Sequence, residues 1–267
     1  MPVAPDSSTP ADRQPEGAIA QRISLSQAKL TAFRNYESLS VDFEPGLVTL
    51  TGPNGAGKTN LLEAISFLSP GRGLRRAGLD EIARRPGDGG WAVAAKVDRG
   101  ISAVDIGTGI AMTPTGPEKR RSIRIEHEPV RPADRLLDYL KVIWLTPAMD
   151  GLFTGPAADR RRFLDRSVLA IDRGHGTRVS AFERAVRGRN RLLAEASINT
   201  GWADAIENEI AELGVAVAAA RREWCNLIAA LIGEGEHHGP FPAAGISLEG
   251  YLEEGLNGRS AGELEEA

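Results

Sequence analysis

The feature that most constrains this chain is an eight-residue stretch, Gly52-Pro53-Asn54-Gly55-Ala56-Gly57-Lys58-Thr59. It reads G-x-x-x-x-G-K-T, the pattern of a phosphate-binding loop. Glycines at those places let the backbone curl so that its N–H groups point inward at phosphate oxygens. Lys58 then falls where an ammonium meets the β- and γ-phosphates of a nucleotide. The Thr59 hydroxyl falls where Mg2+ bridging those phosphates is held. The flanks agree with the loop. Leu47-Val48-Thr49-Leu50-Thr51 is β-prone and predicts a strand, while Leu61, Leu62, Ile65 and Leu68 lie on one face of a predicted helix that opens at Lys58. Strand, loop and helix in that order set the positive end of a helix against phosphate.

Bulk composition narrows the surroundings. At 267 residues, 42% hydrophobic and 25% charged, the chain has the makeup of a soluble globular protein of one large domain or two lobes. A net charge of −4 does not advertise nucleic acid, so any basic surface must be local. One cysteine, Cys225, excludes an internal disulfide framework and is compatible with a reducing cytoplasm. No apolar run reaches the roughly 18 residues of a membrane span, and the N-terminus lacks a signal-type apolar core.

Residues 1–21 are rich in Pro, Ser, Asp and Ala without periodicity and read as a disordered tail. Residues 22–146 read as a nucleotide-binding α/β lobe. Strands are expected at Ile23–Phe33 and Leu39–Phe43, joined through Arg34-Asn35-Tyr36. The helix after the loop ends near Ser69-Pro70-Gly71. Trp91–Val97, Ile101–Ile106 and Arg121–Glu126, separated by Gly and Pro turns, predict an antiparallel meander beside a mixed sheet. Val142-Ile143-Trp144-Leu145 has the makeup of a buried central strand. Residues 147–267 read as a helical lobe, with one long pattern over Ala203–Ile232, bent near Gly214, and a weak signal at Leu248–Leu256.

A phosphate loop hydrolyses ATP only with an acidic residue on a second strand to hold Mg2+. The nearest pattern, Val168-Leu169-Ala170-Ile171-Asp172, has helical spacing and Arg173 where a glutamate would follow; Ala103-Val104-Asp105 is too short. Residues 159–191 hold ten arginines against four acids, a local balance of +6. Arg160-Arg161-Arg162 opens that segment. Both phosphate contacts with DNA and a solvated face with pairs such as Arg161–Asp165 suit it. Arg72, Arg75 and Arg76, one helix from the phosphate loop, are candidate DNA or nucleotide contacts. His127, His175, His237 and His238 lack metal-ligand spacing. Trp202 and Trp224 read as packing residues.

Several blocks together resemble the RecF family of SMC/ABC-type ATPases. The loop continues Thr59-Asn60-Leu61-Leu62-Glu63-Ala64-Ile65, where transporter ATPases usually carry Ser-Thr-Leu after the lysine. Leu30 to Tyr36 looks like the family's opening motif, and Gly71 to Arg76 like its arginine loop. Gly155-Pro156 with Arg160 to Asp165, and Arg189-Asn190-Arg191-Leu192-Leu193, follow in order. The resemblance implies an ABC-type ATPase head with a helical second lobe. It implies ATP and Mg2+ on Gly52 to Thr59, with Arg34, Asn35 and Asn60 near the nucleotide. It further implies an ATP-dependent homodimer that binds single-stranded or gapped DNA and acts with RecR and RecO in loading RecA. The family's Q-loop glutamine, S-x-G-Q signature and Asp-Asp or Asp-Glu strand find no match. Ser260-Ala261-Gly262-Glu263 is followed by acidic residues, and the chain resembles the first two-thirds of a RecF head. Two other readings stay open: a non-hydrolytic DNA-binding remnant and a small-molecule P-loop kinase.

Overall fold

The computed structural model describes residues 23–100, 102–194, 200–234, 242 and 244–256. The tail, His237, His238 and the Ser260–Glu263 segment lie outside them. Eight strands come first: β1 (Ser24–Phe33), β2 (Tyr36–Asp42), β3 (Trp91–Asp98), β4 (Ala103–Ile110), β5 (Met112–Thr113), β6 (Gly116–Pro117), β7 (Ser122–Ile125) and β8 (Glu128–Pro129). Helix α1 (Lys58–Ser66) interrupts them after β2. Helices α2 (Ala157–Val168), α3 (His175–Leu193), α4 (Thr200–Glu234) and α5 (Tyr251–Gly255) follow.

Six strands form one sheet in the order β2-β1-β3-β4-β7-β8, every pair antiparallel, and β5 and β6 form a separate hairpin. Strict alternation sets the register. Trp91, Val93, Ala95 and Val97 of β3 are buried and the residues between them are exposed, which is the signature of a sheet wet on one face. Val104 and Ile106 of β4 and Ile123 and Ile125 of β7 extend the same inner face. Helix α1 lies in the core with Leu61, Ala64, Phe67 and Leu68. Phe33, Phe67 and Trp91 meet there as an aromatic trio, with centroids 5.2–6.1 Å apart. Such offset contacts add about 1 kcal/mol each beyond area burial.

Two expected strands are absent from this sheet. Leu47–Thr51 and Val142–Leu145 belong to no strand and pair with none among the described residues, with Leu47 98% and Leu145 77% exposed. A parallel strand is held by neighbours on both sides, and no described residues supply them. Val168–Asp172 is the end of α2 and the turn after it, as its helical spacing predicts. Helix α4 runs through Gly214, continuous from Thr200 to Glu234. Gly214 allows close packing there. A Cβ there would lie 3.2 Å from Leu252 and 3.3 Å from the Phe182 ring. Trp224 is partly buried, whereas Trp202 is 63% exposed, so the packing expected of Trp202 does not extend to most of its surface.

Candidate nucleotide site

The loop is built by backbone conformation that only glycine adopts readily. Gly52, Gly55 and Gly57 have φ of +140°, +84° and +101°. Gly57 is the N-cap of α1 and carries no side-chain cap. The first-turn N–H groups of α1 are thereby left without a capping side chain, which suits an anion. Gly57 is also sterically fixed, because a Cβ would fall 2.4 Å from Tyr36 Oη and 2.8 Å from Asn35 Nδ2. The β1–β2 turn therefore backs directly onto the last glycine of the loop. Lys58 Nζ donates to the carbonyls of Gly52 (2.6 Å) and Pro53 (2.8 Å), so its ammonium lies folded across the loop mouth. Thr59 is exposed beside it.

One side chain that the sequence reading passed over organises the wall of this site. Glu63, fully buried on α1, accepts two bonds from Arg34, from Nε at 2.9 Å and from Nη2 at 2.7 Å. It also accepts from Arg75 Nη1 at 2.7 Å. One turn earlier, Asn60 accepts from Arg75 Nη1 at 2.8 Å and donates to Asn35 Oδ1 at 2.6 Å. Arg34 holds φ at +53°, with its backbone N–H on Ile82 O (2.8 Å) and its Nη1 on Glu81 O (2.8 Å). A buried carboxylate needs this much pairing, since an unpaired one costs several kcal/mol. The signal for Glu63 was an acid among Leu61, Ala64 and Leu68 on the inward face of α1.

The structure thus brings Arg34, Asn35, Asn60 and Arg75 together behind the loop. Arg72 and Arg76 lie on the same arginine loop but outside this cluster. The second basic block is dispersed. Arg160 donates to Gly155 O at 2.8 Å and closes the turn before α2, Arg162 pairs with Asp159, and Arg161 is exposed. Arg161 does not pair with Asp165, whose carboxylate turns inward. His175 Nε2 lies 2.8 Å from Asp165 Oδ1, and Arg221 donates from Nε (2.8 Å) and Nη2 (3.0 Å). Burial pushes the Asp165 carboxyl up, but the bonds from His175 and Arg221 outweigh it and hold it below the usual carboxylate range. Among the described residues no group of three or more His, Cys, Asp or Glu is placed to hold a metal, and no helix is long and apolar enough to cross a membrane.

Comparison with known proteins bears on this geometry. Residues 27–127 match a family model described as an AAA domain. The chain is 54% identical over 242 residues to the DNA replication and repair protein RecF of Mesorhizobium japonicum, covering 91% of this chain and 63% of that one. It is 54% identical over 246 residues to the RecF of Brucella abortus, covering 92% and 63%. Over nine-tenths of its length the chain is similar to these RecF proteins. It spans about 63% of the length of these RecF relatives. Two solved structures of the recombination mediator protein RecF, described as RecF-ATPrS and RecF-ATP in the RecFOR pathway, share its fold. Each has a TM-score of 0.70, at 21% and 22% identity, covering 79% and 82% of this chain and 56% and 58% of theirs. The fold is accordingly that of a RecF ABC-type ATPase head, antiparallel sheet and P-loop helix followed by helices.

Proposed function

We propose that this chain binds ATP with Mg2+ on Gly52 to Thr59 and couples that binding to DNA in replication and recombinational repair. The observation that carries the reading is the Glu63 cluster. It ties the helix that opens at Lys58 to the β1–β2 turn on one side and to the arginine loop on the other. In this reading Lys58 exchanges the carbonyls of Gly52 and Pro53 for phosphate oxygens, and Thr59 supplies a hydroxyl to Mg2+. Arg34, Asn35 and Asn60 form the wall behind the phosphates. Arg72, Arg76 and Arg161 carry charge toward the DNA backbone, whereas Arg75, Arg160 and Arg162 are already engaged within the protein. Residues 22–146 act as the nucleotide lobe and residues 147–267 as the helical lobe. An ATP-dependent homodimer, RecR and RecO as partners, help in RecA loading and a cytoplasmic location belong to the same proposal.

A second reading has a specific observation behind it. Among the described residues no strand presents a carboxylate beside Lys58 and Thr59. Asp105 faces the outer side of the sheet near His127, and Asp172 follows α2. That favours a chain that binds nucleotide and DNA without turnover. Titration with a fluorescent ATP analogue, with and without Mg2+, tests the first statement, and DNA affinity measured at saturating ATP tests the second. Binding of analogue lost in Lys58→Ala and DNA affinity raised by ATP support the proposal. DNA affinity indifferent to both ATP and Lys58→Ala sinks the coupling. Phosphate release at the rate of a Lys58→Ala control selects the reading without turnover.

A further inference from the structure

At the far end of α1 from the phosphate loop lies a cavity of about 740 Å³, bounded by the arginine loop and the hairpin side of the meander. Its floor is aliphatic, made by Leu79, Ile110, Ile123 and Ala133. Its rim is cationic, made by Arg72, Lys119 and Arg121, against the carboxylates of Asp80 and Glu118. Arg72 and Lys119 are exposed and form no ion pair among the described residues. Asp80 folds back on its own turn, its Oδ1 2.6 Å from where a Cβ on Gly78 would stand.

The rim is rigid. Arg72 sits between Gly71 at φ +98° and Gly73 at φ +66°. A Cβ on Gly73 would lie 2.8 Å from the Phe67 ring and 2.9 Å from Ser66 Oγ, and Leu74 N–H donates to that Oγ at 2.7 Å. The loop is thereby pinned to the last turn of α1. Arg121 donates to Phe67 O (3.1 Å) and Ser69 O (3.2 Å) from the other side, and its guanidinium lies 5.6 Å from the Phe67 ring centre. Carbonyls leave its charge uncancelled. Burial lowers its pKa to about 10, which keeps it cationic at neutral pH.

A volume of this size is that of a small-ligand pocket. An apolar floor covers the face of a base by burial rather than by aromatic stacking, and a cationic rim matches the charge of a phosphodiester. We propose that this cavity takes one unstacked nucleotide of a single-stranded nucleic acid, with the base on the aliphatic floor and its phosphate on Arg72 and Lys119. A paired base cannot enter without leaving its stack, so the cavity distinguishes single strand from duplex. An aliphatic floor reads no base edge, so the preference is for strandedness and not for sequence. The inference rests on the DNA-binding reading above and names the surface that performs it.

The test is fluorescence anisotropy with the whole chain, a labelled single-stranded oligothymidylate and a duplex of equal length, over a salt series. Lys119→Glu combined with Arg72→Glu weakens single-strand binding about tenfold or more, and the salt slope becomes shallower by about 0.7 for each phosphate contact removed. Ala133→Phe, which fills the floor, weakens single-strand binding about fivefold and leaves duplex binding within about twofold. Binding of the ATP analogue stays unchanged in both variants, and thermal unfolding confirms that each is folded. A wild-type chain that binds single strands, with variants that match it in affinity and slope, overturns the cavity and leaves the function standing. A wild-type chain that binds neither DNA overturns both.

Discussion

Two carboxylates in this molecule are treated alike by their neighbours and differ in what they hold. Glu63 and Asp165 are each clamped by two basic side chains, Arg34 and Arg75 in the first case and His175 and Arg221 in the second. Glu63 is completely enclosed, and its partners come from loops that flank the phosphate-binding glycines. Asp165 retains slight exposure, and its partners come from α3 and α4, with Glu253 3.4 Å from Arg221 extending the chain to α5. The first clamp fixes side chains whose positions shape a site. The second fixes the angles of helices. An internal ion pair therefore says nothing by itself about function; what matters is whether its members can reach a ligand.

The difference can be broken experimentally, and the largest effect belongs to Glu63. Replacing it with Leu strands Arg34 in a low-dielectric environment, and loss of one member of a buried pair costs about 3–5 kcal/mol. The urea midpoint should fall by that measure, and analogue affinity at 52–59 should fall with it. Asp165→Asn comes next. Partial exposure softens the loss to about 2 kcal/mol, the scale of bonds between charged groups. Here ATP-analogue affinity, read at a temperature well below the transition, should be unaltered. A matching drop in affinity would erase the contrast between the two clamps.

Acid sharpens the second clamp. The folded Asp165 titrates below its unfolded value, so its contribution is fully present above the ordinary carboxylate pKa of about 3.9 and is lost as pH falls through the folded value beneath it. Urea midpoints measured downward from about pH 4 should therefore fall more steeply in wild type than in Asp165→Asn. Lys58→Ala gives the smallest change in stability, within about 0.5 kcal/mol, because its ammonium touches only loop carbonyls. Its effect should appear in nucleotide binding and in the ATP dependence of DNA affinity rather than in stability, which separates a residue that serves a ligand from residues that serve the fold.

How far all this could be read in advance depended on the range of the forces involved. The phosphate loop and α1 were legible because glycine conformation and helical period are local. The meander was legible as well; strands expected at Trp91–Val97 and Arg121–Glu126 appear at Trp91–Asp98 and Ser122–Ile125. Leu47–Thr51 and Val142–Leu145 misled because β-propensity describes willingness to pair and not the presence of a partner. Glu63 was visible as a letter within the motif, but its role depends on Arg34 and Arg75, 29 and 12 residues away, brought together only by folding. Arg160 to Arg162 read as one patch, yet helical geometry sends the three in different directions, one into the preceding turn and one onto Asp159.

The unpaired segments also govern how this protein behaves in a test tube. Leu47, Val48, Ile143 and Leu145 are at least 47% exposed on irregular backbone that no strand pairs with among the described residues. Such stretches recruit strands from other molecules, the route by which unprotected sheet edges seed aggregates. Concentrated preparations of this chain should grow turbid with time, and light scattering should show mass accumulating before any loss of helix signal. Charged substitutions at Leu47 and Leu145 should delay that growth without moving the thermal transition, a practical route to material fit for the measurements above.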